Sequence, residues 1–531
     1  MTAIFCAVDV GTASARAGLF DATGRMLARA VRPIALWTGA PGRGEQEADG
    51  IWAASCAAVR AALSAAGLAG DDIAALAFDA TCSLVLRDRT GGPLALSEAG
   101  RDVIAWFDHR ATEEAARCTA TGHAVLARLG GSMSPEMQIP KLMWLKARRP
   151  DLWDRLGSAW DLTDWMTHRA TGGSARSLCP LVSKWTYLPG SGGWQPDFLA
   201  AVGLPDLLAR AALPAEPVPP GRVAGTLSAA AAAELGLAAG TPVAAGLIDA
   251  FAGALGLIAP PAPGRPGEAA VIAGTSSCVM TMGVDRWSVR GVWGPYRGAI
   301  LPGHWVNEGG QSASGALLDY ILGMAATGGG AAPSHEDMLA RVAALLERHG
   351  PALGEGIDLL PDFNGNRTPL SDPGLRGVVA GLTLDRDPES LAVLYWRAAV
   401  SVALGLRQIV EHVRAGGAAI EGLGIGGGHA RSPLLLQLYA DATGCPVRVA
   451  GEGEAVLLGT AICAAEASGV FPSLGAAARA MQRPGAERRP DPRAAALRDR
   501  DYAVFLRMQA HRDEIARLRA APVPATAAVH A

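Results

Sequence analysis

The sequence predicts an α/β protein of two large domains built on a repeated strand–turn–strand unit. Three observations carry this. The chain has 531 residues, too many for one hydrophobic core. A short apolar run, Ile4 to Val10, leads through the turn Asp9-Val10-Gly11-Thr12 into a second run, Ala15 to Phe20. A matching unit recurs far downstream, where Ala269 to Ala273 and Cys278 to Met282 flank Gly274-Thr275-Ser276-Ser277. Like units at like places in two halves suggest a duplicated fold.

The elements follow in order. Asp21-Ala22-Thr23-Gly24 is a hairpin turn, and Met26 to Val31 reads as a third strand. Ile51 to Ala66 is a helix pattern, Ile73 to Phe78 a strand, and Pro150 to Thr171 a helix by the spacing of Trp and Leu. Thr226 to Leu237 is an Ala-rich helix. Residues 260–267 are dense in Pro and Gly and mark a domain boundary. Pro388 to Val413 is a long apolar helix, and Ile420 to Ile425 a strand entering Gly426-Gly427-Gly428. Ser432-Pro433 fits a helix cap and first-turn proline. Ala494 to Leu518 is a charged helix, and 520–531 a disordered tail. The predicted domains are 1–259 and 268–482, with 483–531 as a C-terminal helix and tail.

Composition narrows the function. Half the residues are hydrophobic and 18% charged, with 47 basic against 50 acidic residues and a net charge of −3. No basic surplus points to nucleic acid, and no stretch reads as a membrane span. The eight cysteines contain no C-x-x-C pair, so metal-site spacing is absent, and their wide separation in a large chain reads as reduced thiols. No signal peptide is expected. A cytoplasmic protein acting on a small polar solute fits these facts, and a homodimer is the assembly allowed for.

Four groups could carry chemistry. Asp-x-Gly-Thr after a strand brings a carboxylate, amides and a hydroxyl together. Such a turn can hold phosphate oxygens and, through Asp9, a magnesium ion, or it can be a plain hairpin. Gly274-Thr275 could grip the same phosphates from the other side. Gly426-Gly427-Gly428 could pass flat against an adenine ring or serve only as a helix entry. Asp249 stands in the apolar run Gly246-Leu247-Ile248-Asp249-Ala250-Phe251. A general base in a dry cleft would explain that cost, and a helix cap would too. Polar clusters at 79–83, 106–110, 183–185 and 307–312 could hold a sugar or be solvated turns.

Taken in order, these pieces resemble the FGGY carbohydrate kinases over roughly Ile4 to Gly469. The motifs are Asp9-Val10-Gly11-Thr12, Trp106-Phe107-Asp108-His109-Arg110, Met137 to Leu145, Gly246 to Ala250, Gly274-Thr275-Ser276, Gly377 to Leu382 and Gly426-Gly427-Gly428. The resemblance implies two actin-like, ribonuclease H-like domains with ATP and a sugar in the cleft between them. It implies Asp249 as the catalytic base, Asp9 as the magnesium residue, and Gly11, Thr12, Gly274 and Thr275 along the phosphates. Gly427 and Gly428 would line the adenosine, and His429 departs from the small residue many members carry there. Phe78 to Val85, Ala175 to Cys179, Ser183 to Tyr187 and Gly365 to Leu370 resemble the D-ribulokinase branch. That branch implies D-ribulose as substrate. The neighbouring L-ribulokinases imply Lys184 and Glu308 on the sugar with Thr81 near it, and Asp108 matches a family Asp of the sugar region. The alternatives are another pentulose or polyol, or a non-kinase actin-like ATPase.

Overall fold

The computed structural model describes residues 3–520 except 40–41, 98–99, 259–266, 327–331, 386 and 452. Most of the breaker-rich boundary and the tail beyond Ala520 therefore lie outside the described residues.

The first half is organised by one mixed sheet. Strands β1 (Ile4–Val10), β2 (Ser14–Asp21) and β3 (Met26–Pro33) form an antiparallel meander. Next to β1, and parallel to it, runs β4 (Ile73–Ala80). Strands β5 (Val223–Thr226) and β6 (Pro242–Ala244) extend the sheet in the order β3-β2-β1-β4-β6-β5, and β7 (Leu247–Ile248) pairs with the end of β4. Phe5, Cys6, Ala7 and Val8 are all fully buried. A strand covered on both faces loses the alternation of a surface strand and reads as a continuous apolar run. Helix α1 (Ala48–Ala66) covers one face and ends on Gly67 in the left-handed conformation.

The second half repeats the pattern. Strands β8 (Gly267–Ala273), β9 (Ser277–Gly283), β10 (Trp293–Arg297) and β11 (Trp305–Gln311) form the antiparallel part. Strand β12 (Ile420–Gly427) runs parallel to β8 as β4 runs parallel to β1. With β13 (Val447–Ala450) and β14 (Pro484–Arg488) the order is β10-β11-β9-β8-β12-β13-β14. The long apolar helix Pro388–Ala415 is long enough to cross a membrane by length and composition, but most of it is buried in the second core.

One sequence expectation fails. Residues 150–171 are not one helix: they form the helix Pro150–Arg155, the strand Leu156–Asp161 and the helix Leu162–Thr171. The strand pairs antiparallel with Leu84–Asp88. Gly157 makes this possible, since a Cβ there would lie 2.5 Å from the Arg89 Cα. Tertiary pairing overrides helical spacing here.

The lobes meet at a pair of helices. Helix α2 (Leu178–Lys184) precedes this pair in the chain, α3 (Asp249–Leu257) follows β7, and α4 (Gly315–Ala326), α5 (Pro388–Ala415) and α6 (Pro433–Thr443) belong to the second half. Helix α7 (Ala455–Ala467) crosses α3 at backbone contact. A Cβ on Gly256 would lie 1.9 Å from the Ala455 carbonyl oxygen, and one on Gly459 would lie 1.8 Å from that of Ala252. Phe5, Ala7, Leu255, Leu457, Ile462 and Met481 belong to one apolar cluster that runs through this crossing.

Helix propensity alone favours Gly256→Ala or Gly459→Ala by up to about 1 kcal/mol. The crossing predicts the opposite sign: each variant should lose about 1–3 kcal/mol through overpacking. Thermal or urea unfolding of the two variants checks this.

Candidate active site

Three carboxylates gather at neighbouring strand ends because of register. Asp9 near the end of β1 lies opposite Asp79 in parallel β4, and Asp79 lies opposite Leu247 in β7. Asp249 follows β7 directly as the first residue of α3. The sheet approaches this closely only because Gly246 lacks a side chain; a Cβ there would lie 2.0 Å from the Phe78 carbonyl oxygen. Ligand sites in parallel α/β sheets form at this carboxyl edge.

The electrostatics are those of crowded acids. Burial, opposed by Arg16, raises the Asp9 carboxyl above its ordinary range. Burial and the charge of Asp9 push Asp79 well above it. Arg16 stands opposite Asp9 on β2 and donates to it at 2.9 Å. Thr460, on α7 of the other lobe, donates to Asp79 Oδ2. Asp249 is half-buried at the cleft surface. Burial and then the Asp9 charge raise its carboxyl to about 6. Its Oδ1 accepts from the Ala250 amide at 2.7 Å, and the helix N-terminus favours its charged form.

The turns expected to hold phosphates border these acids. Gly11 closes its turn through an amide bond to the Ser14 carbonyl at 3.0 Å. The Thr12 hydroxyl accepts from the Trp106 indole at 3.0 Å, which leaves its own proton free to donate. The Gly274 and Thr275 carbonyls accept from the amides of Gly315 and Ala316 at the start of α4, so this turn is fixed while Gly274 stays open on one side. Gly427 has a φ of +84° and passes so close to Ala273 that a Cβ would lie 2.4 Å from its carbonyl oxygen, whereas Gly428 is open. His429, next to them, is buried, and its Nδ1 bonds the Tyr439 hydroxyl at 2.5 Å.

MgATP fits this donor set. Asp9 and Asp249 bring carboxylates to one strand edge, where the charge of Asp9 raises Asp249, and the two turns leave backbone open between the lobes. Among the described residues no three acidic, His or Cys side chains suffice to hold an ion. A magnesium ion here would complete its shell with phosphate oxygens and water, as this hard ion commonly does.

The sugar-side residues divide. Lys184, at the end of α2, bonds Glu308 on β11 at 3.2 Å, with both side chains 4% exposed. The α2 start is fixed by Ser177, whose hydroxyl donates to the Gly246 carbonyl at 2.6 Å. Burial lowers the Lys184 ammonium, but Glu308 outweighs it and holds it above its ordinary range. The structure does not bring Asp108 to the cleft. It is fully buried, and its two oxygens take bonds from Arg110 and from the Gly44 amide. Its role is to hold Arg110 and the 42–44 loop. Thr81 is buried as well, with its hydroxyl bonded to that of Ser83 at 2.9 Å.

Sequence reasoning did not single out Arg16, Glu136, Trp293 or Arg367 individually. Arg367 lies within the motif Gly365 to Leu370. Its Nη2 meets Glu136 at 3.3 Å, and His109 stands 3.7 Å from the same carboxylate. The Trp293 ring lies under both Lys184, at 4.6 Å, and Arg367, at 5.2 Å.

Two halves of one duplicated fold, with acids at the strand ends and ion pairs across the cleft, define a two-lobed phosphotransferase. The N-terminal domain of the FGGY family of carbohydrate kinases matches residues 4–256, and its C-terminal domain residues 269–468. A human FGGY carbohydrate kinase domain-containing protein is 40% identical, covering 96% of this chain and 97% of its own. A D-ribulokinase of Saccharomyces cerevisiae is 33% identical, covering 88% of this chain and 72% of its own. The crystal structure of a xylulose kinase from Rhodospirillum rubrum superposes with a TM-score of 0.77 at 25% identity, covering 96% and 99%. The chain belongs to the FGGY family of carbohydrate kinases.

The Asp249 shift carries a signed prediction. Its folded value of about 6 exceeds the ordinary 3.8, so the fold favours the protonated form. That contribution is complete below about pH 4 and lost as pH rises through 6. Asp249→Asn should therefore be more stable than the natural chain at pH 7.5, by about 1–3 kcal/mol, and the gain should vanish near pH 4. Unfolding curves at the two pH values test it.

Proposed function

We propose that the protein phosphorylates the terminal hydroxyl of a ketopentose, D-ribulose first among them. The observation that carries this is the position of Asp249, between the two phosphate-type turns and the Lys184–Glu308 pair. Support for the sugar comes from the D-ribulokinase and ribulokinase relatives and from the branch motifs around Thr81 and Arg367. Xylulose kinases among the similar structures make xylulose the second substrate to test.

Each residue has a task. Asp9 would hold the magnesium ion, through water. Gly11, Thr12, Gly274 and Thr275 would line the phosphates, and Gly427 and Gly428 the adenosine. MgATP, when bound, supplies the phosphoryl group and the charge neutralisation its transfer needs. Lys184 and Glu308 donate to and accept from sugar hydroxyls and so fix the sugar's orientation. Asp249 takes the proton of the terminal hydroxyl on a carboxylate oxygen. With its carboxyl near 6, it is ionised at neutral pH yet basic enough to accept that proton. Arg16 pulls the neighbouring Asp9 carboxyl down against the effect of its burial. The lobes enclose the reacting groups and exclude water, which would otherwise compete as acceptor.

ADP release measured over D-ribulose, L-ribulose, xylulose and pentitols tests the reading. The expected result is the highest kcat/KM with D-ribulose; equal rates on all would remove the D-ribulose assignment. Asp249→Asn should lower kcat by about 10²–10⁴ with little change in the KM for ATP. The rate of the natural chain should fall as pH drops below about 6.

A further inference from the structure

A second ion pair crosses the cleft beside the first. Glu136 comes from the loop before the helix Gln138–Arg148 of the first lobe, and Arg367 from the loop after the strand Asp358–Leu360 of the second. Their side chains are 15% and 10% exposed, mostly buried but not sealed from the cleft. The Arg367 loop is held in place: the Thr368 hydroxyl donates to the Gly291 carbonyl at 2.8 Å and accepts from the Gly310 amide at 3.2 Å. Gly310 lies on β11, two residues past Glu308. Trp293 lies against both cations. The Glu136–Arg367 pair thus continues the Lys184–Glu308 pair along one wall.

We propose that Glu136 and Arg367 bind the sugar hydroxyls remote from the phosphorylated carbon and restrict the substrate to an uncharged polyhydroxy chain. This rests on the sugar-kinase reading and deepens it. The charge inventory decides the restriction. Lys184 is matched by Glu308 and Arg367 by Glu136. Lys141 is fully buried against the carbonyls of Ala105 and Trp106, His109 faces Glu136 itself, and Arg16 is paired with Asp9. Asp249 adds a negative charge to the same space. A carboxylate or phosphate on the sugar would have to displace a glutamate from its partner and leave that glutamate unpaired in the cleft, a costly exchange. Hydroxyls face no such barrier: they accept from the guanidinium and donate to the carboxylate without breaking neutrality. Burial raises the Glu136 carboxyl, but Arg367, His109 and Lys184 outweigh this and hold it near 2. The pair therefore stays ionised across the working range. Stability alone gives little reason to keep such a pair, since apolar replacements of buried ion pairs are often neutral.

The test uses the full chain, D-ribulose as neutral probe and D-ribonate as acidic probe. Variants are Glu136→Gln, Arg367→Met and the double variant, which avoids a lone buried charge should a single variant fold poorly. Expected are a tenfold or larger rise in the KM for D-ribulose in each variant, an ATP KM within twofold of the natural chain, and melting curves that show folded protein. Calorimetry without ATP should show no D-ribonate binding by the natural chain and measurable binding by Glu136→Gln, whose Arg367 is freed. D-Ribulose KM values within twofold of the natural chain in all folded variants overturn the proposal, as does D-ribonate binding by the natural chain as tight as that of D-ribulose. Sugar turnover by the natural chain tests the kinase reading separately, and that reading survives if only the variants disagree.

Discussion

The active site depends on the crossing of α3 and α7. At this point two helices from different lobes touch through backbone, with Gly256 against Ala455 and Gly459 against Ala252. No side chain separates them, so the crossing distance is set by main-chain atoms and cannot adjust by rotamer changes. Asp249 begins one of these helices. Thr460, one residue after Gly459, reaches Asp79 in the opposite lobe. The geometry that joins the lobes therefore also places Asp249 and ties down its acidic neighbour.

Around this crossing the protein accepts electrostatic cost. Asp9, Asp79 and Asp249 stand together at strand ends; burial raises all three, and the charge of Asp9 raises the other two further. Arg16 compensates only Asp9 directly. A uniformly stabilised fold would place amides or apolar groups here. The arrangement makes sense where a cation and a proton acceptor are both needed, and it explains why neutralising Asp249 is expected to gain stability while losing turnover.

Much of this was legible in the sequence, for identifiable reasons. The turns at Gly11-Thr12, Gly274-Thr275 and Gly427-Gly428 depend on local backbone freedom, which residue type reports. Ser432 caps Pro433–Thr443 as the local rule requires, its hydroxyl accepting from the Leu435 amide. Asp249 stood out because an acid in an apolar run is costly wherever it lies. What stayed hidden depends on pairing between distant segments. Asp108 carries a polar signature but spends both oxygens on Arg110 and Gly44. Glu136 is an isolated acid in an ordinary loop, and only its meeting with Arg367, 231 residues away, gives it a role. The strand within 150–171 is likewise decided by its partner Leu84–Asp88. Arg16 was closer to legible: in the antiparallel hairpin of β1 and β2 it falls directly opposite Asp9.

The two cross-lobe ion pairs and the helix crossing constrain the lobes in different ways. The crossing is dry backbone contact and leaves no room to slide. The ion pairs are polar, and a hydroxyl beside them can accept from the cation and donate to the carboxylate while each pair stays matched in charge. A sugar can bind beside the ion pairs, but nothing can replace the contact at Gly256 and Gly459. Asp249 begins α3, so the dry crossing fixes its position against the strand-end acids independently of the polar contacts at the Glu136–Arg367 wall.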